Sequence, residues 1–458
     1  MAGIGFEFRK LLQKDTYWGL FQAYGYSGIV SSGPWILSIL GILIVGIYSV
    51  AVVVPPVAVT QFQVSVTYLF MSSLILTGLV QLAFTRYIAD RMFEKRNDLV
   101  TSAFNGVLMV VTLVSGIIGM IGVFFLFPDQ SNLYRLLMLG AFVIMCCIWC
   151  ATIILSGLKQ YKVIVAMFGL GYIIVVGGAL LLRRMGMEGL LLGFVLGHFV
   201  LLMGMLLMIF RSYPSASFVG FDFLQKRSIY VSLVLTGLFY NLGIWIDKIM
   251  FWYNPDTGTP IVGFLNHSVI YDLPVFLAYL SIIPGMAVFL VRIETDFVEF
   301  YQKFYDAVRE GGSLDYLNEI RDEMVFAIRQ GIFEIIKIQG ITVLIVFIAG
   351  PTLLRWIGIT ELHLPLLYVQ VVGASLQVVF LGLLNVFFYL DKRAIVTILT
   401  LLFVVLNVAL TALSFHPYFG APFYGYGYAV SLLICVLIAM QWLEVRLSKL
   451  EYETFMLQ

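Results

Sequence analysis

Charge is the first thing this chain is short of. Asp, Glu, Lys and Arg make up 12% of its 458 residues, against 61% hydrophobic. A soluble domain carries about 25% charged and 45–50% apolar residues. That deficit excludes a water-soluble globular domain and makes the chain an integral membrane protein. The net charge is +1, and no basic tract is dense enough to follow a phosphate backbone, so nucleic acid is not an expected partner. Cysteine is as scarce. Cys146, Cys147, Cys150 and Cys435 all lie in apolar segments with no His or carboxylate at ligand spacing, which predicts packing rather than a metal centre or a disulfide framework. No Walker A sequence, Gly-x-Ser-x-Gly elbow or zincin motif occurs, so neither nucleotide hydrolysis nor another catalytic activity is expected, and no cofactor. A cleavable leader is not expected either, because the first hydrophobic run begins too late and runs too long.

What is present is a hydrophobic segment every thirty to forty residues or so, each with the ~20 apolar positions that cross ~30 Å of hydrocarbon. The pattern predicts an all-α membrane protein of about twelve transmembrane helices in two six-helix lobes around a central cavity. Residues 1–16 read as an amphipathic interfacial helix, with Ile4, Phe8, Leu11 and Leu12 on one stripe. An N-terminal lobe then covers 17–212, a polar link 213–228, and a C-terminal lobe 229–458. With the N-terminus inside, only Arg135, Arg183, Arg184 and Arg355 of the 27 basic residues fall outside, while Lys248 and Lys337 lie within spans. So strong a bias predicts cytoplasmic N and C termini. The insert 292–330, on the same side, reads as two amphipathic helices split at Gly311-Gly312-Ser313. Its apolar positions Phe297, Tyr301 and Tyr305 suit either packing on the membrane surface or docking of a cytosolic partner.

The seventh span holds the most informative stretch. It carries Asn241, Asp247 and Lys248 at membrane depth, where a charge costs about 2.5–3.5 kcal/mol on insertion scales. Helical spacing puts Asn241, Trp245 and Lys248 on one face and Tyr240 with Asp247 on the next. A helix lining a watery path would show that pattern, and so would a local Asp–Lys pair with the lysine snorkelling outward. The first span has Gly33-Pro34-Trp35, where Pro34 removes a backbone hydrogen bond. Irregular backbone in the first and seventh spans would mark a path between the halves. Asp272 opens the eighth span, and Lys248 pairing with Asp272 or with Asp247 would close that path on the outer side. In the tenth span Gln370, Gln377 and Asn385 share a face, as a cavity for neutral hydroxyls or as interhelical glue. Glu334 and Lys337 read as a surface pair or a gate, and His198 beside Gly189, Gly193 and Gly197 as a packed core residue or a proton relay. The ring-rich stretch 415–428 suits an interfacial belt or sugar stacking at an exit.

The opening MAGIGFEFRKLLQKDTYWGLFQAYGYSGIVSSGPWILSILGI resembles the N-terminus of the PelG family of exopolysaccharide transporters. The likeness extends to the Asp247-Lys248 helix ending Phe251-Trp252-Tyr253, and to Val291-Arg292-Ile293-Glu294-Thr295-Asp296-Phe297. It implies a member of the flippase superfamily that also contains multidrug antiporters and lipid-linked oligosaccharide flippases. It further implies a galactosamine-rich polymer as cargo and a place in the bacterial inner membrane, in biofilm matrix formation. The expected partners are the glycosyltransferase PelF and the membrane subunits PelD and PelE, with cyclic-di-GMP acting through PelD. Two other readings stay open: a lipid-linked oligosaccharide flippase or ion-coupled drug antiporter working alone, and a scaffold that anchors and activates a glycosyltransferase.

Overall fold

Hydrocarbon offers no partner to a backbone amide, so a chain this apolar must satisfy its amides within helices. The computed structural model describes Tyr24, Ser27 and residues 37–157, 161–215, 217–224, 230–357, 360–450 and 452. The amphipathic segment 1–16 and the Gly33-Pro34-Trp35 kink lie outside the described residues. Helix α1 spans Leu37–Ser49. It is followed by α2 (Val57–Phe93), α3 (Asp98–Leu126), α4 (Asn132–Gly157), α5 (Tyr161–Leu182), α6 (Gly186–Ser212) and α7 (Val231–Tyr253). A hairpin of β1 (Thr259–Val262) and β2 (Leu265–His267) precedes α8 (Asp272–Leu280) and α9 (Ile283–Val291). A π-helical segment, Arg292–Phe297, leads into α10 (Val298–Arg309) and α11 (Leu314–Ile357). The chain closes with α12 (Leu364–Tyr389), α13 (Arg393–Ser414) and α14 (Tyr426–Leu447). Ten stretches are long and apolar enough to cross a membrane, and one of them, Val165–Ser212, contains both α5 and α6. With α5 and α6 counted apart, eleven crossing segments stand among the described residues, and α1 is a shorter apolar helix beside them.

The described residues gather into two compact units. One takes those within Gly33–Val269, and the other takes Ile270 onward with Tyr24 and Ser27. In the first unit, small residues let helices touch backbone to backbone. A Cβ on Gly193 of α6 would lie 2.1 Å from the Ala179 nitrogen of α5. A Cβ on Gly237 of α7 would lie 2.1 Å from the Gly78 oxygen of α2. That second crossing fixes α7 against α2. The described part of the 213–228 link is pinned to the start of α3: Ser215 Oγ donates to the Asp98 carbonyl at 2.6 Å and Gly220 N to that of Ser102 at 2.8 Å. Arg183 Nη1 caps the end of α1 by donating to the Tyr48 carbonyl at 2.7 Å.

The second unit contains the irregular helices. The eighth span is interrupted between α8 and α9, where Pro284 stands in the first turn of α9 and cannot donate to the turn before it. Gln339 of α11, buried, reaches into the break and donates its Nε2 to the Ile282 carbonyl at 3.2 Å. The same span then widens into the π segment. The seventh span, by contrast, is one continuous helix of 23 residues. The irregularity expected of α7 is therefore absent, because its charges are absorbed without bending the backbone. The Gly311-Gly312-Ser313 sequence does fall between two helices, with Gly311 at φ +73°.

Candidate functional site

Among the described residues, each unit holds a cluster of charged side chains within its apolar helices. In the first unit, Asp247 and Lys248 are both buried, at 0% and 2% exposure. Adjacent residues on a helix diverge by 100°, so the pair closes only because the lysine stem folds back. Lys248 Nζ donates to the Asp247 carboxylate at 3.1 and 3.2 Å and to the Ile244 carbonyl one turn earlier at 2.7 Å. The ammonium does not snorkel, and the ion pair is a desolvated one. Around it, Tyr68 of α2 stacks on Trp252 with ring centres 4.6 Å apart. Trp245, half-buried, lies 6.4 Å from Trp252. Asn241 Nδ2 donates to the Gly237 carbonyl at 2.9 Å, and Tyr240 is half-buried.

The hairpin covers the end of this helix, an element with no counterpart in the sequence reading. Tyr253 Oη donates to the Phe264 carbonyl at 3.0 Å and Tyr68 Oη to that of Asn266 at 2.9 Å. Gln61 Nε2 donates to the Ile261 carbonyl at 3.3 Å. His267 lies at the end of β2, and its burial pulls the imidazole below its usual pKa of 6.5.

In the second unit, the π segment turns alternate side chains to different helices. Arg292 Nε donates to Glu334 of α11 at 2.6 Å, and its Nη1 to Asp296 at 2.7 Å. Glu334 therefore pairs with Arg292 rather than acting with Lys337, because the widened turn brings the guanidinium across to α11. Glu294, 5% exposed, accepts from Asn385 Nδ2 at 2.7 Å and from Tyr389 Oη at 3.1 Å, both on α12. Tyr389 also anchors the candidate docking residues. Phe297 and Tyr301 each place a ring centre 5.4 Å from it, and Tyr305 packs on Tyr301 at 4.6 Å. Phe297 is fully buried and the two tyrosines are half-buried.

The amides of the tenth span take hydroxyl partners from neighbouring elements. Gln370 Nε2 donates to the Tyr271 hydroxyl at 2.7 Å, and Tyr428 of α14 donates to Gln377 Oε1 at 2.5 Å. That is the gluing arrangement left open beside the cavity one. Asp272 is the first residue of α8, where its charge faces the positive end of the helix dipole. Pro34 lies outside the described residues. His198 is buried against Phe194, 4.0 Å away between ring centres, and its Nδ1 is 2.9 Å from the Phe194 carbonyl. The sequence reading passed over Tyr68 and Tyr389, and gave Tyr253, Tyr271 and Tyr428 no hydrogen-bonding role. Each is a tyrosine in an apolar helix or at its end, a position where a phenol must find a partner.

Residues 1–455 match the protein family described as "PelG: Putative exopolysaccharide Exporter (EPS-E)". No curated protein matches the chain. Among solved structures it is similar to an outward-facing multidrug resistance MATE family transporter of the MOP superfamily. That likeness has 14% identity and a TM-score of 0.67 over 94% of this chain and 97% of the other. An inward-facing conformation of such a transporter aligns with 14% identity and a TM-score of 0.58 over 93% and 96%. A MOP superfamily transporter from Pyrococcus furiosus aligns with 15% identity and a TM-score of 0.59 over 94% and 96%. The helices described above therefore follow the MATE fold.

Proposed function

This chain belongs to the PelG family of exopolysaccharide exporters, a transporter family and not an enzyme family, and from that premise we propose that it passes a galactosamine- and N-acetylgalactosamine-rich polymer across the bacterial inner membrane for the biofilm matrix. The observation that carries the reading is the family match over 1–455. The residues inside the helices suit it. A lipid-pyrophosphate carrier needs several unpaired cations in the membrane to hold its phosphates. Here the deep lysine is occupied by its neighbouring carboxylate, and the other buried polar groups include amides and phenols, which suit hydroxyl-rich sugar. The two lobes would move in alternation about a central path that α7 helps to line, with Asp247 and Lys248 closing its outer side. Both termini and the 292–330 insert would face the cytoplasm, beside a glycosyltransferase (PelF) and the subunits PelD and PelE. The half-buried edge of α10 at Tyr301 and Tyr305 would be the docking point, with the buried Phe297 supporting it from beneath.

Vesicles containing the chain with its proposed partners test this directly. Fed with nucleotide-activated N-acetylgalactosamine from the cytoplasmic side, they should accumulate polymer that an added glycoside hydrolase digests only after the vesicles are opened with detergent. Polymer made but left outside would reduce the chain to a scaffold. Lumenal lipid-linked sugar without partners would make it a free-standing flippase.

A further inference from the structure

A groove of about 370 Å³ runs along the first unit between α2, α3, α4 and α7. Its walls include Ile118, Gly122, Phe142 and Ile249, and its upper end is marked by Tyr68 and Tyr253, whose hydroxyls lie 3.3 Å apart. From Leu126 to Ile118 it follows α3 for eight residues, about 12 Å of helix. It is open on one side, since Ile118, Leu126 and Tyr253 are each more than a third exposed. The adjoining surface of α3 exposes Leu113, Ile117, Ile121, Phe124 and Phe125. In a helix that crosses a membrane, such a face meets lipid tails. An aliphatic cavity of about 150 Å³ accepts a benzene ring, so this groove has room for more than twice as many carbons. Left empty, its lining would forfeit dispersion contacts on one side.

We propose that this groove is a binding site for one acyl chain of a membrane phospholipid, with the ester end lying toward Tyr68 and Tyr253. The site requires no cargo and no partner protein, and it holds whether or not the export reading does. Its occupant stays while the surrounding lipid exchanges, because α2, α4 and α7 grip the chain as well as α3, where a flat helix surface offers one wall. The chain in turn buttresses the hairpin through Tyr253 and Leu265, which both line the groove.

Two glycines on α3 make the test. A Cβ on Gly122 would meet only Leu126 Cδ1, at 4.0 Å, so a larger side chain can enter the groove. A Cβ on Gly116 would meet nothing within 4 Å, and Gly116 does not line the groove. The full chain is reconstituted in phosphatidylethanolamine–phosphatidylglycerol vesicles containing a phospholipid with a diazirine in mid-chain, irradiated, and mapped by peptide mass spectrometry. Labelling should concentrate on 118–126 and 138–142. Gly122→Phe should reduce it about tenfold, a change of one decade in occupancy, while Gly116→Phe leaves it unchanged. Even labelling of the whole exposed face of α3, Leu113 and Ile117 included, would overturn the site. So would undiminished labelling in Gly122→Phe. If Gly122→Phe does not elute as a monodisperse species, the wild-type labelling map decides alone, together with native mass spectrometry, which should find one phospholipid retained.

Discussion

Two buried polar clusters solve the same problem in opposite ways. In the first unit, the charges of α7 neutralise each other between neighbours in sequence, and the helix stays regular. In the second, Arg292 and Glu294 draw partners from α11 and α12, and the helix that carries them is broken at Pro284 and widened into a π turn. A local pair asks nothing of the backbone, whereas a dispersed one has to be aimed. The α7 pair is consequently sealed and compact, while the Arg292–Asp296–Glu334 group is about a quarter exposed.

The comparison predicts a graded set of losses. The largest belongs to Asp247→Asn, which leaves Lys248 buried beside a neutral amide. About 3–5 kcal/mol of stability should go, read as a lowered unfolding midpoint in detergent. Asp247→Asn with Lys248→Met should recover most of it. If that double variant is stable and still exports polymer, the pair is structural and no gate; if it is stable and inactive, the proposed pathway role gains its strongest support. Next comes Gly237→Ala, which forces α7 off α2 at the 2.1 Å contact and should cost about 1–3 kcal/mol. Glu294→Leu should fall in a similar range, about 1–3 kcal/mol, by stranding the Asn385 and Tyr389 donors, with Glu294→Gln milder because an acceptor remains. Arg292→Ala should lose less, about 1–2 kcal/mol, since water already reaches the group and screens it. Equal losses for Arg292→Ala and Asp247→Asn would erase the distinction between a sealed pair and an aimed cluster.

The smallest effect concerns the hairpin. Burial lowers the His267 pKa in the folded chain, so the unfolded chain takes up the proton first as pH falls. Hairpin stability should be complete above about pH 6.5 and decline below it. Amide exchange at Ile261 and Asn266, corrected for intrinsic rates, should accelerate between pH 7.5 and 5 and lose that acceleration in His267→Asn.

Much of the architecture was legible because the membrane imposes a single rule on every crossing segment. Apolar runs of sufficient length mark the helices, and the closeness of Asp247 to Lys248 in sequence already announced a possible pair. Gly193 and Gly197 likewise announced a tight crossing by their spacing. The break in the eighth span also had a visible signal, Pro284 followed by Gly285, but the irregularity was assigned instead to α7, whose charges suggested it. What periodicity does not encode is which distant partner a polar group finds. Glu334 looked nearest to Lys337 along its own helix, and only the π turn reveals Arg292 as its counterion. The hairpin was missed for a related reason: β1 and β2 are held in part by Gln61 and Tyr68 of α2, remote in sequence, and carry little pattern of their own.

Helix α11 has 44 residues, a rod of about 66 Å where about 30 Å of hydrocarbon has to be crossed. Roughly half of its length therefore projects beyond the lipid as the same unbroken cylinder. A push delivered near Leu314 would be carried along this rod toward the membrane interior, and the turn at Gly311 leads back to α10, which is packed in place through Phe304 and through Tyr301 on Tyr389. The chain thus carries a long shaft with a braced collar beside it, so a torque applied on that side would pass through both.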